Sequence, residues 1–340
     1  MRTEVTLLST FFALAGLLAV TASAVNIETV PVGNPGNAAD TRHAIPGCGS
    51  VGYSYNIGKY EVTAGQYTAF LNAVAGVDTY GLYNTDMWSS IQGCKIERWS
   101  GDGTSGNPYR YRVASDYANR PVNYVSWGDA VRFANWLHNG QPSGTQDWST
   151  TEDGAYYLNG AMTTAAWMAA TRKTDWKWAI PNRDEWYKAA YHKNDGVTGN
   201  YWDYPTSSDN VPGRDMTEAT NPGDNANYYQ NGGPYPIDPP YYTTIAGEFE
   251  LSQSPYGTLD QGGNLWEWNA SWVSFASCEI WGGGFSSPSD YMLASKRCDT
   301  IATYEVYAVG FRIVEVPEPG STVLLLASSL MLVRHRRRRT

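Results

Sequence analysis

The stretch Asp260-Gln261-Gly262-Gly263-Asn264-Leu265-Trp266-Glu267-Trp268 sets two carboxylates seven residues apart with a glycine pair between them. Glycine tolerates backbone conformations that let a chain curl and turn its carbonyls inward. Inward carbonyls flanked by carboxylates are calcium-type donors, since that ion takes about six to eight oxygens in flexible geometry. The same Glu267 can instead be a buried carboxylate paired with an arginine such as Arg312.

Outward from this stretch, three helix starts are readable from their caps. Thr63-Ala64-Gly65-Gln66 is a capping box leading into Tyr67, Phe70 and Leu71 on one face. Ser126-Trp127-Gly128-Asp129 opens a second helix, with Ala130, Phe133, Ala134 and Leu137 at helical spacing and Gly140 as its stop. Asn182-Arg183-Asp184-Glu185 opens a third, with Trp186, Ala189 and Ala190 inward. Short β-like runs at 53–60, 280–285 and 306–314 alternate with long polar loops, notably 206–242. The pattern lacks regular βαβ alternation and predicts an α+β fold with much irregular structure.

Composition agrees. The 340 residues include 34 Gly and 18 Pro, which favours turns and excludes a helical bundle. Trp 14 and Tyr 25 against Phe 8 exclude disorder, and fit either a Trp-rich core or an exposed aromatic binding face. The net charge is −9, and five arginines sit within 334–339, so the body is more acidic still. With no basic stripe elsewhere, nucleic-acid binding is excluded.

The two ends read as processing signals. A charged start, an apolar run over 7–20 and Ala22-Ser23-Ala24 form a secretory signal peptide, 1–24. At the other end, Val316-Pro317-Glu318-Pro319-Gly320 precedes an apolar segment and then the arginine cluster. Thirteen helical residues span about 20 Å, short of a full hydrocarbon core. The order resembles the PEP-CTERM sorting signal of exported bacterial proteins. It implies transient inner-membrane retention of 316–340 through sorting machinery, then delivery to the cell surface or matrix. Export favours disulfides among Cys48, Cys94, Cys278 and Cys298, and none of their spacings is a zinc pattern. The expected pairs are Cys48 with Cys94 and Cys278 with Cys298, the latter on neighbouring strands after a Gly-rich reversal.

Six blocks between these ends resemble the sulfatase-modifying factor family, the formylglycine-generating enzyme fold. They are Ile57-Gly58-Lys59-Tyr60-Glu61-Val62-Thr63; Arg120 to Trp127, continuing to Leu137; Ile180 to Trp186; Gly257 to Trp268; Gly282-Gly283-Gly284-Phe285; and Gly310-Phe311-Arg312. The resemblance implies one domain over 25–315 with C-type-lectin-like topology, low in regular structure and dependent on calcium. It implies ligands at Asp260, Gly263, Leu265 and Glu267, and a second set at Asn227 with Tyr228 and Asp238 with Pro240.

The family's aerobic enzymes hold copper on two cysteines and oxidise a substrate cysteine. Those positions fall at Ser287 and Met292, and the motif serine is replaced by Gly284. A hydroxyl and a thioether do not make the two-thiolate site that Cu(I) prefers. The expectation is an exported, calcium-stabilised, non-catalytic module that contacts surface or matrix glycan or protein, without copper. The alternative is a formylglycine-type oxidase of the same family.

Overall fold

The computed structural model describes residues 24–43 and 47–316. All but the last residue of the expected signal peptide 1–24, and all but Val316 of the expected sorting segment 316–340, lie outside the described residues. Strands β1 (Thr29–Val32) and β2 (Tyr55–Gly58) precede helix α1 (Ala64–Val74) and the single turn α2 (Asp86–Ser89). Strands β3 (Ile96–Ser100) and β4 (Arg110–Val113) form a separate hairpin. Helix α3 (Trp127–His138), the short α4 (Thr164–Ala169), strand β5 (Trp178–Ala179) and helix α5 (Arg183–Tyr191) follow. A long loop region then leads to β6 (Trp266–Trp272), β7 (Ser277–Trp281), β8 (Cys298–Ile301), β9 (Val309–Gly310) and β10 (Val314–Glu315).

All three predicted capping boxes form. Thr63 with Gln66, Ser126 with Asp129 and Asn182 with Glu185 each exchange side-chain and backbone hydrogen bonds across the first turn. Each box fixes a helix start where two orphan N–H groups would otherwise be left. The apolar faces then meet. Phe133 of α3 contacts Tyr67 and Phe70 of α1, and Phe311 closes on the same rings. No regular element spans 206–242, as its polar, Gly/Pro-rich composition predicts.

Two four-stranded sheets frame this core, ordered β1-β2-β10-β5 and β8-β7-β6-β9. The near-terminal β10 inserts between β2 and β5, so the chain ends of the fold are locked together. That closure puts Phe311 and Arg312, just before β10, inside the molecule. The architecture is the expected loop-rich α+β fold.

The disulfide expectation is corrected. All four cysteines are free thiols. Cys48 packs with Tyr187 and Tyr201, whereas Cys94 lies in the main core beside Asn123. Cys278 and Cys298 do reach neighbouring strands, but Cys278 opposes Thr300 while Cys298 opposes Ile280. Such diagonal neighbours lie about 7–8 Å apart, beyond the reach of a disulfide without backbone movement. Burial raises the thiol pKa at all four, to about 11 at Cys48 and Cys94.

Candidate functional site

The 260–268 stretch curls as its glycines require. Asp260, Gly263 and Asn264 all adopt left-handed φ, at 56°, 83° and 58°. A Cβ on Gly263 would sit 2.4 Å from the Asn227 carbonyl oxygen, so only glycine fits there. The curl directs Asn264 and Leu265 onto a residue the sequence reading missed. The Glu61 carboxylate accepts the Asn264 side-chain amide at 2.9 Å and the Leu265 N–H at 3.1 Å.

Next to it, Arg312 grips Glu267 with Nε to Oε2 and Nη2 to Oε1, both 2.6 Å, in a fully buried pair. The Trp186 indole donates a third bond to Glu267 at 2.7 Å. Arg312 also donates to the carbonyls of Gly58 and Leu259, which ties the β2 end to this loop. Asp260 accepts the Gly247 N–H at 2.6 Å through Oδ2. Burial pushes Asp260 up to about 6, and burial with Glu267 and Asp260 nearby raises Glu61 well above the carboxylate range. Three buried carboxylates thus face one guanidinium. Their surplus negative charge must be met by protons or by a cation.

Glu267 is already committed to Arg312 and Trp186, so the balance falls on Glu61 and Asp260, whose raised pKa values favour protons. No group of three or more His, Cys, Asp and Glu side chains converges as a metal centre among the described residues. In the second expected set, Asn227 is brought to Asn264, whose N–H donates to its carbonyl at 2.8 Å. Tyr228 is buried and donates its hydroxyl to the Pro212 carbonyl. Asp238 pairs with Arg120 at 2.8 Å, and Pro240 beyond it is exposed. Arg120 in turn stacks on Tyr241, 3.7 Å from the ring centroid.

The positions expected to hold catalytic thiols are built into the packing instead. The Ser287 hydroxyl accepts the Trp266 indole N–H at 2.9 Å. Met292 is fully buried with Tyr204, Ala226 and Tyr228. Its carbonyl accepts the Tyr191 hydroxyl at 2.9 Å. Around Ser287 lies a run of rings in which Tyr242 contacts Phe285 and Tyr235, and Phe285 contacts Tyr307. Tyr229, Tyr235 and Tyr307 are partly exposed at its surface.

A curled turn, a buried Glu–Arg centre and an aromatic surface beside 284–292 thus sit together in one loop-rich α+β fold. The chain belongs to the family described as the sulfatase-modifying factor enzyme 1-like domain, which matches residues 27–316. No curated protein matches it. Among solved structures it is similar to variable protein 1 of Treponema denticola, with 18% identity and a TM-score of 0.51 over 87% of this chain and 98% of that one. It is similar also to CarF, with 17% identity and a TM-score of 0.52 over 86% of this chain and 99% of that one. At these identities the likeness is one of fold.

Proposed function

We propose that the protein is an exported, non-catalytic binding module of the sulfatase-modifying factor family. One observation carries the reading: both positions matching the family's copper-binding cysteines hold side chains committed to the fold. Ser287 serves as acceptor for Trp266, and Met292 fills the space between Tyr204 and Tyr228. Neither can supply a thiolate, and Cu(I) chemistry needs soft sulfur. The four thiols elsewhere are raised in pKa by burial and are poor ligands at neutral pH.

Calcium belongs to the same proposal as a structural ion on Asp260 and the carbonyls of Gly263 and Leu265, with a second ion near Asn227. It would offset the surplus charge of Glu61, Asp260 and Glu267 and hold the curled turn. The same proposal takes the module to the cell surface or matrix after transient anchoring in the inner membrane, a reading supported by the Ala22-Ser23-Ala24 site and the Pro317-Glu318-Pro319 segment of the sequence. There it contacts glycan or protein.

The test is Cu(I) titration together with oxygen consumption in the presence of a sulfatase-type cysteine peptide. The expected result is no stoichiometric copper and no formylglycine product. Ser287→Cys with Met292→Cys should gain copper binding. Turnover by the wild-type protein would replace the module with an oxidase.

A further inference from the structure

On another part of the surface, the loop 145–160 and Tyr80 line an open cleft of about 290 Å³. That is near the lower end of small-molecule pockets, about 300 Å³ and upward. Its lining includes Trp148, Tyr157, Asp147, Glu152 and Asn159, and none of the residues of the 260–292 region. Trp148 is 75% exposed and Tyr157 57% exposed. Neither side chain has a hydrogen bond, ring contact or cation contact among the described residues.

The loop that presents these rings is held from below by polar side chains of α3. Asn135 donates to the carbonyls of Thr151 and Tyr156 and accepts the Tyr156 N–H. Asn139 donates to the carbonyls of Thr150 and Asp153. Arg132, fully buried, grips both oxygens of Glu152 and leaves Nη1 without a hydrogen-bond partner, its guanidinium 4.5 Å from the Tyr80 centroid. Asp147 is fixed by Ser149 and Thr145, and its bonds to Ser149 hold its carboxyl below the usual range. So much buried polar bonding under an exposed Trp and Tyr preorganises the loop, which lowers the cost of binding.

We propose that this cleft is a subsite for a neutral pyranose ring, the terminal sugar of a glycan. This rests on the binding-module reading and supplies its ligand class. The apolar face of a pyranose lies on Trp148 or Tyr157, as flat rings in an otherwise polar site allow. Hydroxyls reach the unpartnered Asn159 amide, the Tyr157 hydroxyl and the remaining acceptor sites of Asp147. Asp147 opposes an anionic sugar. Arg132, already stacked on Tyr80, opposes a cationic ligand in the same cleft.

The probes are methyl β-glucopyranoside, methyl β-galactopyranoside, glucuronate and tetramethylammonium, titrated into the mature protein by calorimetry with saturation-transfer NMR. At least one neutral glycoside should bind. Trp148→Ala and Tyr157→Ala should each weaken it by about three- to tenfold. Phe275→Ala, an exposed ring elsewhere, should leave it unchanged. Absence of binding, indifference to both ring variants, or preference for glucuronate or tetramethylammonium overturns the proposal. The copper and peptide assay separates the two readings. Sugar binding lost in Trp148→Ala alongside turnover would keep the subsite and remove the module, and neither activity would remove the subsite alone.

Discussion

The turn 260–268 and the segment 284–292 lie against each other, the Phe285 N–H donating to the Asn264 carbonyl at 2.8 Å. In the first, the acids that the family resemblance points to are present and engaged by Arg312, Trp186 and Gly247. In the second, the positions the resemblance assigns to thiols hold a serine and a methionine that are built into the packing. The contrast teaches that this fold's stability and its chemistry reside in separate side chains. A buried charge network cannot lose one member cheaply, whereas a reactive pair at a loop can be replaced by an indole acceptor and a core thioether.

The largest effect should come from breaking the first region. Arg312→Met leaves Glu267, Glu61 and Asp260 without their cation. Removing one partner of a buried pair costs about 3–5 kcal/mol. Thermal or urea denaturation at pH 7 should show that loss, and part of it should return at lower pH as the carboxylates protonate. A variant as stable as the wild type would mean that the network is not what holds the turn.

Calcium sharpens the same region. At 100-fold excess over Kd, an ion that binds only the folded state contributes about 2.7 kcal/mol. Chelator should therefore lower the wild-type melting temperature. Asp260→Asn should reduce that response to what the second ion near Asn227 contributes, because Asp260 is the one carboxylate of the turn not paired with arginine. Glu267→Gln should weaken the fold yet keep most of the chelator response. Identical responses in wild type and Asp260→Asn would remove the ion from this turn.

How legible all this was depended on range. The three capping boxes are contacts between residues three apart, so local spacing displayed them. The Glu267–Arg312 pair was visible as one of two readings of a single carboxylate. Glu61 was not, because its partners lie 203 and 204 residues away and no pattern joins them. Its one signal was an acid set between Tyr60 and Val62 just ahead of a cap. The cysteine pairs failed for a related reason: sequence order brought Cys278 and Cys298 to adjacent strands, but register alone decides which residues face each other. The proposed sugar subsite had a faint trace in Arg132 and Asn135, polar residues buried on α3, and in Asn139, which caps its end.

A smaller effect concerns pH. Asp129 caps α3 inside the core, and burial followed by the nearby Glu305 pushes it up to about 8. Its unfolded value lies near 4. Between those values the folded state holds a proton that the unfolded chain has released, so stability falls as pH rises and the loss is complete above the folded value. Asp129→Asn should flatten this slope between about pH 4 and 8 in denaturation curves, and an unchanged slope would assign it to other groups.

The smallest effect tests the second region directly. Ser287→Ala removes the acceptor of the Trp266 indole N–H, and both groups are nearly buried. A lost neutral hydrogen bond costs about 0.5–1.5 kcal/mol. The Trp266 ring should stay in place, because it also packs edge-on against Tyr291 at 5.6 Å between centroids. Denaturation should show that modest loss, and tryptophan fluorescence should report a freed indole N–H. In a catalytic loop the same substitution would leave stability unchanged and alter turnover instead. A Ser287→Ala protein with wild-type stability would therefore break the contrast between the two regions and return 284–292 to the chemistry.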